Sequence, residues 1–221
     1  MRPVLLRPIK CAALCALFIA TSAFAEPLTI TVINERTDEP VENAVVTLPG
    51  AGKPSTDTFT IAQENRAFRP GLLVIPAGSE VNFPNRDNTQ HHVYSFSEAK
   101  TFNIELYAGE PEAPIQFDQS GIVEIGCNIH DHMQGFILVT DRPHYALTDT
   151  NGQARFDVAS SAGKQPVKAN IWHRRFADTD RYSQHTLTPD SLSEMRVRVT
   201  LEPRNDGNDE LDQIQQEFQD L

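Results

Sequence analysis

GCNIHDHMQG, residues 126–135, places a cysteine, two histidines and a methionine within seven positions, Cys127 to Met133. Cys127, His130 and Met133 fall at C-x2-H-x2-M spacing, directly after the apolar alternation of GIVEIG (121–126). A tight loop at the end of a strand can bring such side chains to one point. Thiolate and imidazole are strong donors there and thioether a weak one. Upstream, NFPNRDNTQHHVYSF (82–96) supplies His91 or His92 at the start of another apolar alternation.

Two imidazoles, one thiolate and a distant thioether are the donor set of a blue-copper electron-transfer site, which takes one copper ion. Soft sulfur favours Cu(I) and imidazole suits both oxidation states. Zinc is the competing metal, but it rarely uses methionine, and a structural zinc would want more thiolate or imidazole donors, such as His92 and His132. Successive side chains of a strand point to opposite faces, so one of His91 and His92 faces the core. His91 is in step with Val93, the first apolar residue of the strand, so His91 is the expected ligand and His92 the alternative, expected to face outward. Singly, a cysteine is most often a small hydrophobe. Jointly, the spacing favours coordination.

The chain opens MRPVLLRPIKCAALCALFIATSAFA (1–25), with Arg2, Arg7 and Lys10 before an apolar run and Ala23-Phe24-Ala25 as a small-x-small site. This is the pattern of an export signal peptide cut after Ala25, and the apolar run is too short to span a bilayer. A bacterial periplasm is the expected compartment. Cleavage would remove Cys11 and Cys15, leaving Cys127 as the only cysteine and Met133 as one of two methionines, with Met195. A lone thiol in an oxidising compartment has no disulfide partner in its own chain, and a metal would occupy it. The full chain carries a formal charge of −11; without the three positive charges of the leader it is −14. That disfavours nucleic acid and anionic membrane surfaces and suits a redox protein partner with a basic surface.

Short apolar stretches punctuated by Pro, Gly, Asn and Asp run along the rest: 28–33, 43–48, 71–85, 91–97, 114–118, 121–127, 135–141, 153–159, 167–175 and 195–203. Their spacing predicts an all-β sandwich architecture. The predicted organisation is a signal peptide (1–25), N-terminal strands (26–59), a metal-binding sandwich (60–142), a second small sandwich (143–203) and an acidic tail (204–221). The second block is short for a core of its own, so the N-terminal strands are expected to join it, with the metal-binding block inserted between. Leu211, Ile214, Phe218 and Leu221 could line one face of a short helix in the tail, and a solvated extension is the equal alternative. Trp172, in IWHRR (171–175), is expected to be a core residue rather than a docking site.

Residues 70–141 resemble the cupredoxins, the family of amicyanin, pseudoazurin and plastocyanin-like proteins, and specifically its short-loop amicyanin and pseudoazurin-like group; the loop of plastocyanin-like members is usually longer. VIPAGSEVNFPNRDNTQHHV (74–93) looks like the family's V-x-x-G-x-x-V-x-F-x-N strand pair followed by its first histidine ligand, and CNIHDHM (127–133) is similar to the amicyanin ligand loop. The resemblance implies a Greek-key β-sandwich with a type-1 copper bound by His91, Cys127, His130 and Met133. The layout also resembles periplasmic proteins labelled methylamine-utilisation proteins. His92, Ile125, Asn128 and Ile129 depart from residues common in the family, which bears on hydrogen bonding around the ligands. TDEPVENAVVTL (37–48) and TDTNGQARFDV (148–158) give the flanking block a likeness to carboxypeptidase-regulatory or carbohydrate-binding-like sandwiches.

The resulting expectation is a carrier of single electrons rather than an enzyme, because a closed four-donor site leaves no open position for substrate. Copper delivery or sensing is the alternative, with His92 and His132 beside the site to aid transfer. A multicopper oxidase would carry several His-x-His motifs, and only HDH (130–132) has that form.

Overall fold

The computed structural model describes residues 28–157, 166–188 and 194–203, so the leader and the acidic tail read from the sequence lie outside the described residues. Among the described residues every regular element is a strand, and the fold is all-β. Two strands come first, β1 (Leu28–Asn34) and β2 (Val45–Leu48). Then follow β3 (Thr58–Thr60), β4 (Ala62–Gln63), β5 (Phe68–Arg69), β6 (Leu72–Pro76) and β7 (Ser79–Asn82). The middle of the chain forms β8 (His91–Ser97), β9 (Lys100–Tyr107), β10 (Ile115–Phe117), β11 (Gly121–Gly126) and β12 (Gln134–Thr140). The last elements are β13 (His144–Leu147), β14 (Gln153–Phe156), β15 (Val167–Trp172), β16 (Ser183–Leu187) and β17 (Glu194–Val199).

A five-stranded sheet, β6-β12-β11-β8-β9, and a three-stranded sheet, β10-β7-β3, enclose one core. Ile75 of β6, Val93 of β8, Val123 and Ile125 of β11, and Ile137 and Val139 of β12 meet Val81 of β7 and Phe117 of β10 there. Strands β11 and β12 form an antiparallel hairpin, while β12 and β6 run parallel, so the chain returns to the sheet edge by a crossover as a Greek-key sandwich does. Together these two sheets form a β-sandwich.

The remaining strands make two further sheets, β14-β1-β17 and β13-β2-β15-β16, around a second core that includes Ile30, Val46, Phe156, Ile171 and Val199. The N-terminal strands therefore pair with residues that follow the first sandwich: β1 with β14 and β17, and β2 with β13 and β15. A third apolar cluster joins the two sandwiches. Val74, Ile122, Phe136 and Leu138 on the outer face of the five-stranded sheet meet Val45 and Trp172, with the Phe136 and Trp172 rings 5.1 Å apart. Trp172 is fully buried and its indole N–H donates to Thr179 O at 2.8 Å.

The stretch 71–85 divides into β6 and β7 at Gly78, whose φ of +93° a residue with a Cβ adopts only under strain. Strand β9 falls where the sequence pattern gave no strand. Its alternation Phe102, Ile104, Leu106 is interrupted by a bulge, since Val93 faces Ile104 but His91 faces Tyr107. The extra residue turns Leu106 out, 48% exposed, and puts Tyr107 against the core in its place.

Candidate metal centre

Strand alternation aims three of the four expected ligands inward. On β11, Val123 and Ile125 point into the core and Cys127, the next residue in step, continues that face. On β12, Ile137 and Val139 point the same way, and Met133 continues that face in the opposite direction. On β8, Val93 is in the core and His91 is two residues before it, with no exposed surface. The loop between Cys127 and Met133 exposes Asn128, Ile129, Asp131 and His132 and leaves His130 half-buried. It is closed by two backbone bonds, Met133 N–H to His130 O at 2.9 Å and Cys127 N–H to Met133 O at 3.3 Å.

The site is a small triangle. His130 Nδ1 lies 3.8 Å and His91 Nδ1 4.0 Å from Cys127 Sγ, and the two Nδ1 atoms are 3.2 Å apart. A point equidistant from these atoms lies roughly 2.1 Å from each, against metal–imidazole bonds of about 2.0–2.1 Å and metal–thiolate bonds of about 2.3 Å. One first-row ion therefore fits between the three donors with small adjustments. Met133 is buried in the same cluster as Cys127. Among the described residues, Cys127 is the free cysteine, and His91, Cys127 and His130 are the group of such residues close enough to hold an ion.

Sequence reasoning did not single out Asp87. Its carboxylate accepts the His91 Nε2–H at 2.8 Å, the Asn65 N–H at 2.7 Å and the Arg66 N–H at 2.9 Å. Burial pushes the Asp87 carboxyl up, but these hydrogen bonds hold it below the usual carboxylate range. Asn85 fixes the loop: its Oδ1 accepts the Asp87 N–H at 3.0 Å, and its Nδ2 donates to Thr89 O and Tyr107 O, each at 2.9 Å. The Tyr107 hydroxyl donates to Phe83 O and accepts from Gln63 Nε2 at 2.6 Å, and burial pushes its pKa up to about 12. The available signal for Asp87 was its position four residues before His91, in a polar loop where an acid is ordinarily solvated.

His92 faces away from the triangle, as alternation requires, but it is buried rather than outward in solvent, at 8% exposure. Its Nε2 bonds Asn103 Oδ1, its ring lies 5.4 Å from Tyr94, and its Nδ1 is buried without a partner. His132 is exposed on the loop, with its ring 6.1 Å from that of His130. Burial, and then the neighbouring His91, Arg66 and His132, push His130 below the ordinary histidine pKa.

No family model and no curated protein matches the chain. Among solved structures, it is similar to a copper-containing nitrite reductase from Thermus scotoductus SA-01, at 22% identity and a TM-score of 0.35, over 42% of this chain and 25% of that one. The chain thus spans about a quarter of the reductase's length. A purple cupredoxin from Nitrosopumilus maritimus is 21% identical with a TM-score of 0.33, over 37% of this chain and 99% of that one. A reduced mutant of amicyanin is 16% identical with a TM-score of 0.35, over 43% and 98%. The chemistry of the site lies in its donor set.

Proposed function

We propose that the chain is a periplasmic type-1 copper protein of amicyanin-like kind, carrying single electrons between redox partners. The observation that carries this is the His91–Cys127–His130 triangle, with Met133 buried in the same core cluster. Bound copper would supply one-electron chemistry by alternating between Cu(I) and Cu(II). The protein's part is to hold the donors. Cys127 and Met133 are fixed by the β11–β12 hairpin and sit in the apolar core cluster, and His91 is fixed by β8 with no exposed surface. A rigid donor set that suits both oxidation states keeps reorganisation small. His130, the half-buried member of the triangle, is the exit nearest solvent, and the acidic chain favours a redox partner with a basic face. In this reading residues 60–142 are the electron-carrying unit, inserted into a sandwich built from 26–59 and 143–203.

A second reading, copper delivery or sensing, draws on the exposed His132 beside His130, which could receive a departing ion. The two are separated by cycling the copper-loaded protein between ascorbate and ferricyanide in the presence of a Cu(I) chelator. An electron carrier retains one copper per chain through repeated cycles. Loss of the metal within the first reduction would reject the carrier and favour delivery.

A further inference from the structure

We infer that Asp87, clamped by the Asn65–Arg66 turn, sets the tautomer of His91 and holds its Nδ1 ready for the metal; this rests on the metal-site reading above. An ionised carboxylate can only accept hydrogen bonds. Asp87 Oδ2 lies 2.8 Å from His91 Nε2, so the proton of the neutral ring belongs on Nε2, and the lone pair falls on Nδ1. Nδ1 is the atom that faces Cys127 Sγ and His130 Nδ1. Without that acceptor the two tautomers of a neutral imidazole compete, and one of them blocks the ligating nitrogen.

The carboxylate is itself held. Asn65 and Arg66 connect β4 to β5 as a two-residue turn closed by the Glu64 and Ala67 backbone pair, and both have positive φ, 54° and 52°. Such a turn matches the twist of a hairpin, but its second position ordinarily favours glycine. An arginine there is strained, and successive N–H groups in this conformation form a concavity for an anion. Here the anion is Asp87: Asn65 N–H reaches Oδ1 and Arg66 N–H reaches Oδ2. The remaining Oδ2 interaction is aimed at His91. Turn, carboxylate and imidazole therefore form one chain of contacts that ends at the metal site, and the strain in the turn has a use. The same geometry puts a fixed negative charge against one ligand, which stabilises the more highly charged Cu(II) over Cu(I).

The test compares Asp87→Asn with Asp131→Asn, which removes a charge from the exposed ligand loop instead. In metal-free, ¹⁵N-labelled full chain, histidine side-chain NMR should show His91 as the single Nε2–H tautomer in the wild type and in Asp131→Asn. In Asp87→Asn the Nδ1–H form should appear, and Cu(II) affinity should fall on the order of 10- to 100-fold, as it does when such partners are removed. The Cu(I)/Cu(II) affinity ratio should shift about tenfold toward Cu(I), raising the midpoint potential by about 59 mV. A circular dichroism spectrum and melt of each variant separate this from misfolding; if Asp87→Asn does not fold, Asp87→Glu, which keeps the charge but displaces the acceptor, is read in its place. An unchanged tautomer and affinity in the folded variant would overturn the inference. Failure of the wild type to bind copper would overturn the metal-site reading and leave the tautomer result standing.

Discussion

At the scale of single residues, the packing role of each candidate donor can be separated from its proposed coordinating role. Met133 is a core side chain as well as the proposed weak ligand. Met133→Leu conserves volume, so it should cost less than about 1.5 kcal/mol of stability. It removes the thioether, so copper should still bind, with a potential raised because the lower oxidation state needs less donation. Voltammetry beside a urea melt checks both halves. His173 shows the opposite case, a histidine that serves the fold. Burial, with the charges of Arg175 and Arg174, pushes its pKa down to about 4. Between about 4 and the unfolded value of about 6.5 the unfolded chain binds the extra proton, so this contribution is full above pH 6.5 and is lost as pH falls toward 4. The loss should reach about 3 kcal/mol. Urea melts from pH 7 to pH 4 should show it in the wild type, and His173→Gln should flatten that slope.

At the scale of elements, turns decide which side chains meet. Gly152, at φ +71°, closes the turn that leads into β14, and a Cβ there would lie 2.5 Å from Val32 O. Its N–H donates to Asp149 O at 2.8 Å, while Asp149 Oδ1 accepts from Asn151 and Gln153. Gly152→Ala therefore combines left-handed strain with a backbone clash and should cost more than about 2 kcal/mol, measurable as a drop in melting temperature. Elements of this kind explain what the sequence showed and what it hid. The β11–β12 hairpin was legible because alternation along its two strands runs straight into Cys127 and out of Met133. Strand β9 was not, because its bulge breaks period two at Leu106 and Tyr107. Asp87 was hidden for a different reason: its role comes from a turn more than twenty residues earlier, and no local pattern records that contact. The burial of His92 likewise comes from its neighbours, Tyr94 across the same face and Asn103 on the next strand.

At the scale of the whole molecule, the two sandwiches share an apolar seam. Trp172, the only tryptophan, is fully buried there against Phe136. Trp172→Ala should cost about 3–5 kcal/mol, and because Phe136 lies on the outer face of the five-stranded sheet, it should also lower the melting temperature of the first sandwich. Calorimetry on the wild type should give one transition, and on the variant a lower one or two separate ones. An unchanged melt would show that the seam contributes little. Among the described residues no helix is long and apolar enough to cross a membrane. Under the electron-carrier proposal, association of the acidic chain with a basic redox partner would weaken with salt, as screening requires.

The most direct measurement is the visible absorption and EPR of the protein expressed from Glu26 and loaded with Cu(II), with Cys127→Ser alongside. A strong thiolate-to-copper band and a narrow copper hyperfine splitting, both absent from the variant, are the expected result. A colourless wild type with the wide splitting of an ordinary nitrogen and oxygen site would contradict the type-1 centre.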